Sequence, residues 1–178
     1  MIRRTKEGYV EIRQNGNEIR VDTGDKALDH LLTTLLFYMQ KSASIKARYD
    51  LKHHLWEEVG IALGRWLKPA SDDIKRFGYA IVPMDDSLVV VAVDVSRTYL
   101  VLEMSNKDVL QEEDFNLALV EEFLKAFARE LQATISIKVL TGKNIHHIIE
   151  ATFKGLGMAL LTALEESKKI RSTKGALR

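Results

Sequence analysis

Cysteine is absent, so disulfides, cysteine nucleophiles and thiolate metal sites are all excluded. Neither sign of charge is in excess. Lys and Arg number 26 against 25 Asp and Glu, a net of +1. That balance offers no electrostatic grip on nucleic acid or on an anionic membrane. Proline is scarce, two residues in 178, and no low-complexity tract interrupts the chain. The longest uninterrupted apolar run, Leu88 to Val93, is far short of the roughly 20 residues of a membrane span. The start, Met1-Ile2-Arg3-Arg4-Thr5-Lys6-Glu7, has no apolar signal core. A soluble cytoplasmic protein with neither a nucleic-acid nor a membrane partner is the expectation.

What is present is enough to fold. Apolar residues make up 46% of the chain, sufficient for one large domain or two small ones. Val10 and Ile12 lead into Asn15-Gly16, and Ile19 and Val21 follow, which predicts a hairpin. Leu28, Leu31, Leu32, Leu35, Leu36 and Met39 recur at helical spacing. Ile45, Ala47, Tyr49 and Leu51 alternate as a strand does, and Val59, Leu63, Trp66 and Leu67 mark a second helix. Residues 68–77 read as a loop. Strand-like runs follow at Tyr79–Val82, Leu88–Val95 and Tyr99–Leu102. The order then repeats as a helical stripe (Leu119, Phe123, Phe127, Leu131), a strand (Ile135, Ile137, Val139) and a helix (Ile148, Phe153, Leu156, Leu160, Leu164).

An internal duplication accounts for this order. His53-His54-Leu55-Trp56-Glu57 is followed by Leu63-Gly64 and Leu67. His146-His147-Ile148-Ile149-Glu150 is followed by Leu156-Gly157 and Leu160. Every matched position, from 53 against 146 to 67 against 160, is shifted by 93. The preceding helix matches at a shift of 92, Leu28-Asp29-His30-Leu31-Leu32 against Val120-Glu121-Glu122-Phe123-Leu124. The predicted fold is α+β and two-layer. It comprises two halves, 1–84 and 85–178, each a strand-strand-helix-strand-helix unit with helices on one face of a small sheet.

All five histidines fall in the repeated segments: four in the two HHxxE motifs, and His30 in the helix before the first. On a helix, Glu57 shares a face with His53 and His54 through its three- and four-residue spacings. Adjacent histidines diverge by about 100° and are poorly placed to serve one ion. Each HHxxE is therefore expected to contribute to two metal sites, shared with the other repeat or with another subunit. Imidazole nitrogen with carboxylate oxygen suits manganese, iron or zinc. The zincin motif HExxH is absent, which weighs against a metalloprotease.

These residues resemble the imidazoleglycerol-phosphate dehydratase family of histidine biosynthesis, over nearly the whole chain. The resemblance is carried by Arg4-Thr5-Lys6-Glu7, Asp29-His30-Leu31-Leu32, the two HHxxE motifs, Arg76-Phe77-Gly78, Pro83-Met84-Asp85-Asp86, Asp94-Val95-Ser96-Arg97, Gly142-Lys143-Asn144, Phe153-Lys154 and Ser172-Thr173-Lys174-Gly175. It implies dehydration of imidazole glycerol phosphate to imidazole acetol phosphate. Two Mn2+ ions per active site would be held by His30, His53, His54, Glu57, His146, His147 and Glu150. Phosphate would be bound by Arg76, Arg97, Lys154, Ser172 and Lys174. Glu7 would touch the substrate and serve as acid or base, while Glu57 and Glu150 are ligands, one of which an open metal shell would free for proton transfer. It further implies a hollow homo-oligomer of about 24 subunits built from trimers, with its metals between subunits.

The sequence also departs from the family pattern. An EHFF-like segment usually supplies one more histidine ligand. Here it reads Glu121-Glu122-Phe123-Leu124, so Glu122 takes the ligand position and is also the repeat counterpart of His30. A carboxylate suits manganese, a hard ion; the alternative is that Glu122 faces solvent or forms an ion pair. Tyr38 and Ser136 stand where many members have His and receive no role. Glu58 replaces the usual Asp after HHxxE, and Leu51-Lys52 replace paired acids. Two other readings stay open: a dinuclear-metal hydrolase of a phosphorylated small molecule, and a metal-stapled shell without turnover.

Overall fold

The structure is a computed structural model that describes residues 1–104, 111–112, 114–168 and 172. Its first half runs β1 (Ile2–Arg4), β2 (Gly8–Gln14), β3 (Arg20–Asp22), α1 (Lys26–Tyr38), β4 (Ala43–Tyr49) and α2 (Lys52–Leu67). The second opens with β5 (Phe77–Met84), β6 (Ser87–Asp94) and β7 (Tyr99–Met104), then a short ladder of β8 (Gln111–Glu112) with β9 (Phe115–Asn116). It closes with α3 (Leu117–Leu131), β10 (Thr134–Thr141) and α4 (Ile145–Ala163).

The sheets are ordered β1-β2-β4-β3 and β5-β6-β10-β7. In each, two antiparallel pairings are followed by one parallel pairing. The chain is thus α+β with two similar halves, and each half begins with three strands rather than two. The extra one, β1, carries a single apolar residue, Ile2, and no alternation to reveal it. It is held by pairing with β2 and by an ion pair from Arg3 to Glu58 on α2. Its counterpart is β5, which pairs with β6 in the second sheet. The expected division between residues 84 and 85 falls in the turn of that hairpin.

The predicted β2–β3 hairpin does not form. Asn15 and Glu18 close a turn, with the Glu18 N–H donating to the Asn15 carbonyl at 2.9 Å. However, β4 lies between the two strands and pairs with both. Its alternation buries Ala43, Ile45 and Ala47, so it makes the better central strand.

The helices lie between the sheets. They cover their own sheet, and across the repeat α1 packs on α4 and α2 on α3. The duplicated Leu-Gly pair explains how closely. A Cβ on Gly64 would stand 2.7 Å from the Phe127 carbonyl oxygen, and one on Gly157 would stand 2.6 Å from that of Leu35. Only a residue without a side chain allows the backbones to approach so far. The apolar faces merge into one core around Trp56, Phe123, Phe127 and Phe153, all fully buried. Each such ring contributes about 1.5–3 kcal/mol of burial.

Candidate metal centre

Both HHxxE motifs open a helix. His53 and His54 are the second and third residues of α2, and His146 and His147 hold the same places in α4. Asn144 caps α4, its side chain accepting from the His147 N–H at 3.1 Å. The histidines therefore sit at the exposed mouth of each helix, with Glu57 or Glu150 one turn inward.

At α4 three candidates converge. The Nε2 atoms of His30 and His146 each lie 3.2 Å from the same Oε2 of Glu150. One potential ligand atom from each of the three lies within 4.8 Å of the others. Phe115 stacks on the His146 ring, 4.0 Å between centroids and 10° between planes, and meets His30 edge-on. Lys154 donates to Glu150 Oε1 at 2.9 Å. Burial opposes ionisation of Glu150, but the bonds and charges of Lys154 and His30 outweigh it and hold the carboxyl below its ordinary value. Two imidazoles and an ionised carboxylate aimed at one point form a donor set that fits a divalent manganese, iron or zinc ion.

The second histidine of each motif faces elsewhere. His54 Nδ1 lies 2.8 Å from Asp50 and 3.8 Å from Glu7. His147 Nδ1 lies 2.7 Å from Asp86 Oδ1, and its Nε2 lies 3.4 Å from Asp85. Asp86 also accepts the Lys143 and Asn144 N–H groups through Oδ2. His147 and those N–H groups hold the Asp86 carboxyl well below the usual carboxylate range. The bond to Asp50 raises the His54 pKa, and the same contact lowers that of Asp50.

His53, Glu57 and Glu122 are the repeat counterparts of His146, Glu150 and His30. Among the described residues they do not close into a second group of that kind. Lys125 holds both Glu122, at 3.3 Å, and Glu121, at 3.0 Å. Glu58 turns away into the protein, buried against Arg3 and accepting from Tyr49 Oη at 3.3 Å. Tyr38 ends α1 beside Gly157, and Ser136 lies within β10; neither joins the cluster.

The phosphate candidates are spread out. Lys154 is at the cluster. Arg76 has a left-handed φ of 71° and grips Asp94 through two nitrogens, at 2.6 and 3.0 Å. Arg97 is exposed in the turn after β6, where its carbonyl accepts from Thr134 Oγ1. Both arginines lie at the end of the second sheet opposite Asp86, separated from it by the length of β5, about 23 Å. Ser172 is half-buried, and Lys174 lies outside the described residues.

The imidazoleglycerol-phosphate dehydratase family model matches residues 23–160. The chain belongs to this family. An imidazoleglycerol-phosphate dehydratase of Pyrococcus furiosus is 50% identical over 179 residues, covering 99% of this chain and 100% of its own. The crystal structure of IGPD from that organism in complex with (S)-C348 matches with a TM-score of 0.92 at 48% identity, covering 99% of this chain and 100% of that one. The Staphylococcus aureus imidazoleglycerol-phosphate dehydratase structure gives 0.79 at 30% identity, covering 94% and 98%. Imidazoleglycerol-phosphate dehydratases are hydro-lyases, and this chain is an enzyme of that kind.

The roles of Phe115, Asp50 and Asp86 beside the histidines were not read from the sequence. Asp50, four residues before His54, carries a local signal of helical spacing. Phe115 carries none, and Asp86, though part of the Pro83-Met84-Asp85-Asp86 motif, carries no local signal of its contact with His147, because the fold delivers both from other elements.

Proposed function

We propose that this chain is a manganese-dependent dehydratase that converts imidazole glycerol phosphate to imidazole acetol phosphate in histidine biosynthesis, acting in the cytoplasm. Among the described residues no helix is long and apolar enough to cross a membrane. The observation that carries the reading is the convergence of His30, His146 and Glu150 from opposite halves of a chain of this family. Two Mn2+ ions are assigned to His30, His53, His54, Glu57, Glu122, His146, His147 and Glu150. When bound, they supply Lewis-acid stabilisation of charge on the substrate's imidazole ring.

The rest of the chemistry falls to the chain. Dehydration removes a proton from one carbon and hydroxide from its neighbour, and the resulting enol becomes the ketone. Glu7, 48% exposed beside His54, is assigned as the carboxylate that moves the proton. Lys154 keeps Glu150 ionised as a ligand. Lys154, Arg76, Arg97, Ser172 and Lys174 are assigned to the phosphate, with Asp94 fixing the Arg76 fork.

The site is proposed to be completed by other copies, in an assembly of about 24 subunits built from trimers. Two observations favour this. Arg76 and Arg97 stand a strand's length from the histidines of their own chain. The outer face of the second sheet also exposes Phe77, Tyr79, Ile81, Tyr99 and Val101, with Tyr79 79% exposed.

The test is turnover of imidazole glycerol phosphate by protein stripped with chelator and refilled with Mn2+. Metal-restored imidazole acetol phosphate without phosphate release is expected. Phosphate release would identify a hydrolase instead, and intact assembly with no product would identify a metal-stapled shell.

A further inference from the structure

Strand register places Glu7 and Asp86 at equivalent points of the two halves. Val10 pairs with Ala47, and Val89 with Val139. Ala47 and Val139 are related by the same 92-residue shift as the helices that precede them. Three residues before Val10 is Glu7, and three before Val89 is Asp86. Each is the last residue before its strand, in the turn of the first hairpin of its half. Each carboxylate faces Nδ1 of the second histidine of its own HHxxE motif.

The two copies have diverged. Asp86 is committed to His147 Nδ1 and to the N–H groups of Lys143 and Asn144. In the first half that place at Nδ1 is taken by Asp50, 2.8 Å from His54, which also accepts the Leu51 N–H at 2.8 Å. Glu7 stands back at 3.8 Å and touches Asp50 through its backbone, its carbonyl accepting the Asp50 N–H. A carboxylate on one ring nitrogen fixes the proton there and presents the other nitrogen as a ligand. Around His147, the side of the ring turned away from Asp86 faces Asp85, which is 64% exposed, so a cation approaching Nε2 meets negative charge.

We propose that Asp50 and Asp86 are positioning residues that hold His54 and His147 with Nδ1 protonated and Nε2 presented to metal, and that recruitment of Asp50 has released Glu7 from this duty to act on substrate. The inference rests on the reading of His54 and His147 as metal ligands.

The test is titration of the chelator-stripped full-length protein with Mn2+, free ion being read by electron paramagnetic resonance, alongside the metal-free melting temperature. Asp50→Asn and Asp86→Asn should each bind Mn2+ about ten- to a hundredfold more weakly. Glu7→Gln should bind as the wild type does. Asp86 also ties two backbone N–H groups, so a loss of folding in its variant leaves the decision to Asp50→Asn, whose melting temperature should hold. Unchanged Mn2+ affinity in Asp50→Asn, with metal lost from His54→Ala, would overturn the positioning role while leaving the ligand reading intact. Wild-type affinity in both His54→Ala and His147→Ala, or a wild type that takes up no Mn2+, would overturn both. Weakening in Glu7→Gln as large as in Asp50→Asn would overturn the divergence.

Discussion

Gly157 on α4 lies so close to the backbone of Leu35 on α1 that a Cβ would stand 2.6 Å from the Leu35 carbonyl oxygen. Upstream on the same two helices are His30 and Glu150, whose side chains meet at 3.2 Å. The packing of small against backbone thus sets the spacing of the ligands. Gly157→Ala must push the helices apart, and overpacking of this kind costs about 1–3 kcal/mol. We expect a lower urea midpoint for the metal-free protein together with weaker Mn2+ binding. Gly64→Ala strains the α2–α3 contact and should lower the midpoint similarly, while leaving the His30–Glu150 pair in place. A Gly157→Ala protein as stable as the wild type would rule out this account of the helix contact.

Glu122 offers a sharper test of the ligand set. It is the repeat counterpart of His30, yet its carboxylate is held by Lys125 on the same helix. As a metal ligand it must leave Lys125. Glu122→Gln, which keeps the shape but removes the charge, should lower the Mn2+ content of the protein below that of the wild type. Glu122→His should retain it, and Lys125→Ala should bind Mn2+ at least as tightly as the wild type. Full metal content in Glu122→Gln would leave Glu122 as a surface ion pair.

The sequence displayed the duplication because the spacing of histidines, glutamates and glycines survives in both copies. What it displayed less well follows from where stability comes from. β1 is built by pairing and by the Arg3–Glu58 contact rather than by its own apolar pattern, so the strand was not legible. The residues around Asn15-Gly16 predict a hairpin, and the chain does turn there, but local residues do not encode that β4 inserts beside β2 and takes the place of β3. At the site, His30, His146 and Glu150 were legible as residue types. Their meeting depends on the α1–α4 contact, and the stack of Phe115 on His146 depends on a segment far away in sequence. Adjacent glutamates likewise part company: Glu57 is half-buried on α2 one turn after the histidines, and Glu58 is buried under β1.

Glu7 is separable from the ligands by chemistry. Its carboxylate is half-exposed and lies beyond hydrogen-bond range of His54. Glu7→Gln should reduce turnover about 10²–10⁴-fold, the usual contribution of a positioned acid or base. Metal content measured by elemental analysis should stay at the wild-type level. Equal turnover in the two proteins would remove Glu7 from the mechanism.

The α2–α3 contact carries a pH signature of its own. Arg65 Nε lies 2.7 Å from Glu130 Oε2, and Arg129 approaches the other oxygen at 3.4 Å. The hydrogen bond from Arg65 is the main reason the Glu130 carboxyl is held below its ordinary value of 4.5, with burial opposing. Because the folded value is the lower one, the stabilisation is fully present above 4.5 and is lost as pH falls through the folded value. At neutral pH, Glu130→Gln should cost about 1 kcal/mol, in the range of a partly exposed ion pair. Measured in chelator, so that metal-ligand chemistry does not enter, the urea midpoints of the two proteins should differ at pH 7. They should converge as the solution is acidified below 4.5. A gap that persists or widens in acid would mean that Glu130 holds the helices together by packing rather than by charge.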